Sequence, residues 1–353
     1  MTSKERVLAA INHSKPDRVP LDLWALSPVM TKLRAYFGVD NDEAARQALG
    51  IDLRSVWPAY NGPSLETFDD GSFMDWWGVR KEQRGVFEDA VSAPLADAHT
   101  LADIAAYAWP DPEWFDYQGM RAACETFSDD YALVIRDAGH YATCVLRVAM
   151  ILRGMEQFML DMITNPEIAR AIIAAVEKFY LELNRRILET VGDLTSIYFI
   201  ADDVGTQDGL LLSPKMFRAF VAPSLQRFAA QAKHYNQVVM YHTCGAVRKL
   251  IPDFIDMGVD ILNPIQPSAK DMDLAALKRD FGDTLCFHGA CDIISVLSTG
   301  TPEKVRAEVE RVFDILGVGG GFILAPTNNI MPETPVENII AMYETAKTIG
   351  TYV

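Results

Sequence analysis

Two potential metal ligands stand two positions apart in the segment Tyr-His-Thr-Cys-Gly, where Thr243 separates His242 from Cys244. The apolar run before them predicts a β-strand, in which successive side chains point to opposite faces. We therefore expect His242 and Cys244 on one side and Thr243 on the other. Imidazole nitrogen and thiolate sulfur are ligands that zinc prefers, although a catalytic zinc normally takes three protein ligands. The pattern by itself fits either a zinc site or a packed thiol beside a hydrogen-bonding histidine.

Other candidate residues follow neighbouring apolar runs. Asp202 and Asp203 are adjacent, so on a strand at most one of the two carboxylates can face the same side as His242. The other is expected to face the surrounding helices or to cap the loop that follows. We assign catalytic roles to Asp203 and His288, as proton carriers or additional metal ligands.

Aromatic and neutral hydrogen-bonding side chains are assigned to substrate binding. The residues in this group are Trp24, Tyr241, Asn263, Gln266 and Asn328. Asn263 and Gln266 are suited to orient a substrate or to hold a metal ligand in place. The alternative is that these two amides only tie loops together.

The elements that must position these residues form a regular series. Short apolar runs bounded by Gly, Pro or Asp recur, and most are followed by a helical pattern, as in parallel strands joined by crossover helices. The eight predicted strands are Arg18–Ala25, Asp52–Pro58, Ala132–Ala138, Ser196–Asp202, Gln237–Thr243, Asp260–Pro264, Leu285–His288 and Gly320–Pro326. The clearest predicted helices are Asn165–Val191, Pro214–His234 and Pro302–Leu316, the last with Thr301 as its N-cap.

This alternation predicts an α/β fold, specifically a (β/α)8 TIM barrel. In such barrels the loops that leave the C-terminal ends of the strands form the active-site face. Asp203, His288, Cys291 and Asn328 all lie at or just after such ends and are placed to supply a third metal ligand.

Residues 1–353 are predicted to form one barrel domain, with residues 59–131 as an insertion between the second and third strands, packed near the barrel mouth. Alternation in Gly78–Phe87 predicts a β-hairpin within this insertion. The insertion is rich in tryptophan, namely Trp76, Trp77, Trp109 and Trp114. These side chains either anchor the insertion to the barrel or belong to a lid over the substrate.

Composition narrows the range of partners. The chain has 353 residues, of which 50% are hydrophobic, and a formal net charge of −16, which disfavours nucleic acid and anionic membrane surfaces. The N-terminus lacks an apolar signal-peptide core and no long uncharged apolar run follows, so a cytoplasmic location is expected. Five cysteines, an odd number in a chain of this size, are expected to be reduced thiols. A homodimer is possible.

Several long segments resemble the uroporphyrinogen decarboxylase superfamily. They include SKERVLAAINHSKPDRVPLDLW, DDVGTQDGLLLSPKMFRAFVAP, YHTCGAVRKLIPDFIDMGVDILNPIQP, LCFHGACD and GGGFILAPTNNIMPETPVENI. The resemblance covers essentially the whole chain and is strongest from Asp202 to Ile340. It implies a (β/α)8 barrel and one of two chemistries.

True decarboxylases of the superfamily bind an acidic tetrapyrrole through arginines in an N-terminal segment, whereas this chain has no arginine between Arg18 and Arg34. Corrinoid-dependent methyltransferases instead hold zinc with an His-x-Cys motif and a further cysteine after the last strand. His242 and Cys244 match the motif, but Asn328 stands at the position of the further cysteine. Because an amide is a poor zinc ligand, either another residue completes the site or the metal has been lost. We assign Cys291, at the neighbouring strand end, as the replacement ligand beside His242 and Cys244.

The leading hypothesis is a zinc-dependent methyltransferase that moves a methyl group between a small methylated substrate (a methyl ether, amine or thiol) and a corrinoid carried by a separate protein. The alternative is a metal-free decarboxylase of an aromatic or tetrapyrrole acid, in which Asp203 or His288 stabilises a protonated intermediate. A third possibility is a non-catalytic protein that only binds a methylated ligand or a corrinoid protein.

Overall fold

The computed structural model describes residues 1–136 and 143–352. In this part of the chain a parallel sheet of seven strands forms the centre, in the order β1-β7-β8-β9-β10-β11-β12. The strands of the whole molecule are β1 Leu53–Val56, β2 Ala59–Tyr60, β3 Phe73–Met74, β4 Arg80–Arg84, β5 Phe87–Ala90, β6 Phe115–Asp116, β7 Ala132–Ile135, β8 Ile197–Ala201, β9 Val238–His242, β10 Ile261–Ile265, β11 Cys286–Cys291 and β12 Phe322–Pro326.

Helices follow or precede each strand of the parallel sheet. They are α1 Ser3–Ile11, α2 Ser27–Phe37, α3 Asp42–Leu49, α4 Leu101–Ala106, α5 Tyr117–Phe127, α6 Leu146–Arg153, α7 Met155–Thr164, α8 Pro166–Val191, α9 Pro214–Phe220, α10 Ala222–His234, α11 Ile251–Asp256, α12 Leu274–Phe281, α13 Pro302–Val312 and α14 Val336–Ile349. None of the described helices combines the length and the apolar character needed to cross a bilayer.

The predicted helices are found with two adjustments. The predicted helix Pro214–His234 is divided into α9 and α10 near Pro223, because proline lacks the N–H that a continuous helix needs and its ring crowds the preceding turn. Helix α13 begins as predicted, with the Thr301 side chain accepting a hydrogen bond from the N–H of Lys304. A π-helical turn, Phe313–Gly317, continues directly from the end of α13 at Val312.

Seven of the eight predicted strands lie in the parallel sheet, although the end of Ala132–Ala138 falls outside the described residues. The first, Arg18–Ala25, is wrong as a regular strand and makes only isolated bridges, because Pro20 has no N–H to extend a ladder. Its backbone nevertheless forms hydrogen bonds to the chain on both of its sides. Leu21 accepts from Asp52 N–H at 2.9 Å, and Asp22 N–H donates to Leu324 at 3.0 Å.

The parallel sheet is curled around a small apolar layer. This inner cluster contains one or two residues from each sheet strand, among them Leu53, Val134, Phe199, Met240, Ile261, Cys286 and Ile323. A larger cluster fills the space between the outer face of the sheet and the helices. Every strand of the sheet is therefore buried on both faces, as expected for strands covered by crossover helices.

The chain between β1 and β7 builds two small antiparallel sheets before α5, which packs against β1 and α8. Strands β4 and β5 form a hairpin close to the predicted position. Trp77 is buried, with its ring 4.8 Å from Phe179 on α8. Trp76 packs at 4.9 Å from Phe115. The Trp77 contact anchors the segment to α8, whereas the contact between Trp76 and Phe115 lies within the segment.

Candidate active site

A polar layer lies above the inner apolar layer, at the C-terminal ends of the strands. Because side chains on a strand alternate, a residue two positions after an inward-pointing residue also points inwards. This relation leads from Met240 to His242, from Ile261 to Asn263, and from Cys286 to His288. The sheet geometry therefore brings these three polar side chains together at the C-terminal ends of the strands, which form one edge of the sheet.

The ligand atoms of Asp203, His242 and Cys244 converge at this edge, all within 4.8 Å of one another. His242 Nε2 lies 3.6 Å from Cys244 Sγ and 3.8 Å from Asp203 Oδ1. A tetrahedral zinc with bonds of about 2.0–2.3 Å holds its ligand atoms about 3.3–3.7 Å apart. The donor types and their spacing therefore fit zinc.

Two loop backbones pack directly against each other to bring Asp203 beside Cys244. A Cβ atom on Gly205 would lie 2.6 Å from the carbonyl oxygen of Cys244, and one on Gly245 would lie 2.5 Å from that of Thr206. Only glycine permits this approach, and Gly245 also has a φ of 88°. The backbone N–H of Cys244 donates to Asp203 Oδ1 at 2.8 Å, which directs the carboxylate towards the thiol.

The turn that carries Cys244 is also anchored from behind. Thr243 points away from the metal ligands and accepts a hydrogen bond from Val204 N–H at 3.1 Å. Gln266 accepts from the backbone N–H of Gly245 at 2.7 Å and donates to the carbonyl of Thr327 at 3.4 Å. Gln266 is buried and thus connects three loops in the described structure.

Burial shifts the pKa values of His242 and Cys244 in opposite directions. Burial lowers the pKa of His242 below its ordinary value, so its ring is neutral near pH 7 and can offer a lone pair. Burial and the charge of Asp203 raise the pKa of the Cys244 thiol. A metal ion that binds here must displace the thiol proton, as metal ions do at cysteine ligands.

His288 lies behind the site in a chain of hydrogen bonds. His242 Nδ1 is 2.5 Å from Asn263 Oδ1, and Asn263 Nδ2 is 2.6 Å from His288 Nδ1. His288 Nε2 is 3.1 Å from Asp22 Oδ2. His288 is fully buried and is not among the described residues that line the cavity, so its position does not support direct proton transfer to substrate.

Asp22 organises the inner wall of the site. Its Oδ2 accepts from Trp24 Nε1 at 2.8 Å, and the Trp24 ring stacks on His242 with centroids 5.3 Å apart. Arg136 lies over the other part of this wall, 4.2 Å from the Trp24 ring centroid and 3.7 Å from Asp22. Burial opposes ionisation of Asp22, but the charge of Arg136 and the hydrogen bond from His288 outweigh it and lower the pKa of Asp22.

Two predicted site residues point away from the mouth. Tyr241 is buried next to His242 on the opposite face of β9, where its ring packs 4.8 Å from Phe254 and its hydroxyl donates to the carbonyl of Asp202. Cys291 is three positions after His288 and is fully buried on the outer side, beyond the metal-type cluster of the described residues. The assignments of Tyr241 to substrate and of Cys291 to metal are therefore corrected, because both side chains pack in the larger cluster between the sheet and the helices.

Asp202 and Asp203 are separated as the alternation predicts. Asp203 is exposed at the mouth, whereas the buried Asp202 carboxylate accepts hydrogen bonds from the backbone N–H groups of Val145 and Arg147 at 2.8 and 2.9 Å. Burial raises the pKa of Asp202 to about 7 despite these bonds. Asp202 therefore caps the start of α6.

A cavity of about 730 Å³ opens above the polar layer. Its lining includes Asp203, His242, Asn328, Trp24, Phe199, Phe87 and the arginines Arg46, Arg54, Arg136 and Arg147. Asn328 Nδ2 lies 3.6 Å from Cys244 Sγ, so the amide is beside the thiol at the position predicted for it. The cavity thus combines one potential metal cluster, aromatic surface and positive charge.

Sequence analysis missed Asp22, Arg136 and Arg147. Asp22 has the same parity as Trp24 in the first predicted run, so the alternation that favours one favours the other. Arg136 lies near the end of the third predicted strand, Ala132–Ala138, a position similar to that of Asp203. A search of all positions with the parity of Trp24 in the first run, and of the ends of the other strands, would have found Asp22 and Arg136.

A profile of the family described as Uroporphyrinogen decarboxylase (URO-D) matches residues 97–349. The methylcobamide:CoM methyltransferase MtaA of Methanosarcina barkeri is 35% identical over 143 residues, which are 40% of this chain and 39% of that protein. A methylated-thiol–coenzyme M methyltransferase of Methanosarcina mazei is 27% identical over 209 residues, 58% of this chain and 51% of that protein. The aligned regions therefore span well under two thirds of these relatives.

A solved structure of a methyltransferase from Methanosarcina mazei is similar along nearly the full length. The alignment covers 99% of both chains with a TM-score of 0.69 and 20% sequence identity. At this identity the similarity shows a shared fold.

Proposed function

The chain belongs to the uroporphyrinogen decarboxylase family, and we propose that within it this protein is a zinc-dependent methyltransferase. It would transfer a methyl group between a small methylated substrate and a corrinoid carried by a partner protein. The similarity to methyltransferases of Methanosarcina supports this activity over that of a true decarboxylase.

The observation that carries the proposal is the convergence of Asp203, His242 and Cys244 within 4.8 Å at the mouth of the sheet. Asp203 is the third ligand in place of the cysteine that the family motif has at Asn328. A carboxylate oxygen is an established zinc ligand, whereas a neutral amide is not. The 2.8 Å hydrogen bond from Cys244 N–H already holds Asp203 in the required direction.

Zinc, when bound, supplies Lewis acidity that stabilises a thiolate or polarises an ether or amine. The residues of the chain do the rest. Trp24 and Phe199 form an aromatic wall beside His242, with ring centroids 5.3 and 5.8 Å from the imidazole. Asn328 lies over the Cys244 thiol and is available to orient a substrate next to the metal ligands.

We also propose that the sheet is a closed (β/α)8 barrel. The backbone bonds of Leu21 to Asp52 and of Asp22 to Leu324 connect the segment after Arg18 to both edge strands, β1 and β12. Residues 59–131 are then an insertion near the mouth, and the position of Phe87 in the cavity lining supports this arrangement.

A metal-free decarboxylase remains the second candidate function. Four arginines line the cavity, and their positive charge favours an acidic substrate. One of them, Arg54, is already paired with Glu43 at 2.7 Å. Of the two residues expected to stabilise a protonated intermediate, Asp203 lines the cavity and His288 lies beneath it. Asp203 would therefore carry that role.

The test combines metal analysis with a transfer assay on the full chain. We expect about one zinc per chain in protein purified without added metal or chelator. We also expect demethylation of a methylated corrinoid protein, followed by its absorbance, in the presence of a thiol acceptor, or the reverse reaction with a methyl thiol, ether or amine. Absence of zinc together with release of carbon dioxide from an aromatic or tetrapyrrole acid would favour the decarboxylase instead.

A further inference from the structure

We infer that Asn263, His288 and Asp22 form a proton-ordered hydrogen-bond chain that fixes which nitrogen of His242 faces Cys244 and Asp203. Its functional meaning rests on the proposed metal site, since that nitrogen is the proposed ligand atom. The order of the protons follows from the hydrogen-bonding chemistry of the groups alone. Asn263, His288 and Asp22 are positioning residues, because they act on the site through His242.

The first bond sets the tautomer of His242. An amide oxygen only accepts hydrogen bonds, so the 2.5 Å contact with Asn263 Oδ1 requires a proton on His242 Nδ1. A neutral imidazole carries one ring proton, so with that proton on Nδ1 the other ring nitrogen is unprotonated. Its Nε2 then carries the lone pair, and this atom lies 3.6 Å from Cys244 Sγ.

The second and third bonds set the tautomer of His288 in the opposite sense. The amide nitrogen of Asn263 only donates, so His288 Nδ1 accepts at 2.6 Å and the proton of His288 resides on Nε2. That proton is donated to Asp22 Oδ2 at 3.1 Å. The carboxylate is an acceptor at the end of the chain, and each bond has one possible direction.

The environment of the chain keeps this order in place. Asn263, His288 and Asp22 are 1%, 0% and 2% exposed, so water does not compete for their hydrogen bonds. Asp22 also accepts from Trp24 Nε1 at 2.8 Å, and Trp24 stacks on the face of His242. Asp22 therefore restrains the His242 ring in two ways. It acts on the edge of the imidazole through the chain of hydrogen bonds and on its face through the stacked indole of Trp24.

The direct test is two-bond ¹H–¹⁵N correlation spectroscopy of the full chain without metal, at a pH where both histidines are neutral. The sequence has six histidines, and the two signals are assigned with the variants His242→Gln and His288→Gln. We expect His242 protonated on Nδ1 and His288 protonated on Nε2. A native protein with the proton of His242 on Nε2 would overturn the inference.

The variant Asn263→Asp reverses one bond at constant size. A carboxylate still accepts from His242 but cannot donate to His288, so we expect His288 to acquire a proton on Nδ1. Asn328→Asp is the matched control, because it makes the same change at the mouth beside Cys244 and should leave His288 protonated on Nε2 alone. An unchanged His288 signal in folded Asn263→Asp would contradict the proposed hydrogen bond from Asn263 to His288.

Metal affinity provides an independent measurement. We expect Asn263→Ala to weaken zinc binding by roughly 10- to 100-fold, as for other losses of a partner that supports a ligand. Unchanged zinc affinity in that variant would show that the chain does not support the metal site. The tautomers are measured without metal, so the result does not depend on whether the protein binds zinc. The predicted tautomers can be found in a protein that fails to bind zinc, and other tautomers can be found in a protein that binds it. Failure of this inference is therefore distinguishable from failure of the proposed function.

Discussion

Asp52 and Asp203 lie at opposite ends of the parallel strands, and their surroundings differ. The N-terminal and C-terminal edges of the sheet are the sides at which its strands begin and end. At the N-terminal edge the Asp52 carboxylate is fully buried and is paired with Arg6 and Arg18, both at 2.7 Å. It also accepts from the backbone N–H of Leu21 at 2.9 Å. Its hydrogen-bonding capacity is thus used by its own chain, and it ties the N-terminal segment to the start of β1.

At the C-terminal edge Asp203 is 57% exposed and faces two other ligand-type atoms. Its described contacts are the backbone N–H and the thiol of Cys244 and a histidine nitrogen at 3.8 Å, so it retains capacity to bind a further group. The same residue type therefore stabilises the fold at one edge and is available for a ligand at the other. What distinguishes the two is whether the chain itself satisfies the carboxylate.

The largest effect on function is expected for Cys244→Ser. The serine hydroxyl is a much weaker zinc ligand than a thiolate, so bound zinc should fall from about one per chain to near zero. Elemental analysis and urea unfolding check the loss of metal and the retention of the fold. Cys291→Ser is the control, because Cys291 faces the helices, and full zinc in Cys244→Ser would show that the cluster is not the metal site.

The largest effect on stability is expected at the opposite edge, for Asp52→Ala. Removal of this carboxylate leaves Arg6 and Arg18 without their buried partner and should lower the free energy of unfolding by about 3–5 kcal/mol. The matched variant Asp193→Ala breaks an exposed pair with Arg121 and should cost at most about 1 kcal/mol. Equal losses in the two variants, measured by urea unfolding, would contradict the contrast between the edges.

The third ligand is tested by comparing Asp203→Asn with changes at Asn328. Zinc affinity should fall by roughly 10-fold or more in Asp203→Asn, because an amide oxygen is a poor zinc ligand. Asn328→Ala should change the affinity little, and Asn328→Cys should increase it by adding a thiolate beside Cys244. A large loss in Asn328→Ala with none in Asp203→Asn would make the asparagine the ligand.

The smallest effect concerns Asp202, the satisfied neighbour of Asp203. Its pKa is raised from 3.8 to about 7 in the folded protein, so the native state holds the proton more tightly than the unfolded chain. Its contribution to stability is therefore complete below about pH 4 and is lost as the pH rises to about 7. A displacement of one pH unit in a pKa is worth about 1.4 kcal/mol, and we expect a loss of at least this order.

In Asp202→Asn this pH dependence should disappear, because the amide resembles the protonated carboxyl group. The free energy of unfolding, measured between pH 4 and pH 8 for native protein and variant, provides the comparison. Asp203→Asn should retain most of the native profile, because burial is the main cause of the raised pKa of Asp202 and the charge of Asp203 is the smallest. If native protein and Asp202→Asn lose stability in parallel over this range, another group is responsible.

Much of the architecture follows from local sequence pattern. Apolar runs separated by helical periodicity predict the seven sheet strands, and alternation correctly separates Asp202 from Asp203 and Thr243 from its two neighbours. The first run, Arg18–Ala25, does not form a regular strand, because Pro20 interrupts the donors of a ladder. The local pattern therefore predicts that this segment lies with the strands, but it does not predict which backbone hydrogen bonds the segment forms.

The site was less accessible to prediction, because side-chain direction depends on register within each strand. The prediction of Cys291 as a ligand placed it at the correct strand end, but its side chain packs between the sheet and the helices. The positive φ values of Gly289 and Ala290 interrupt regular alternation between His288 and Cys291, so the sequence pattern does not give the direction of the thiol. Asp22 meets His288 across 266 positions of sequence, and no local pattern contains such a contact. The chain of hydrogen bonds could be recognised only once the strands were arranged in space.

The contact between Asp22 and His288 has a consequence for the order in which the molecule is assembled during synthesis. Asp203, His242 and Cys244 lie within about 40 positions of one another and are translated before the strand that carries His288. Tyr343 donates to the carbonyl of Asp22 across 321 positions, so the N-terminal segment is fully held only when the last helix has emerged. A nascent chain can therefore present its three proposed metal ligands before their support is complete, and tight metal capture is expected to come late, after the two ends of the polypeptide have met.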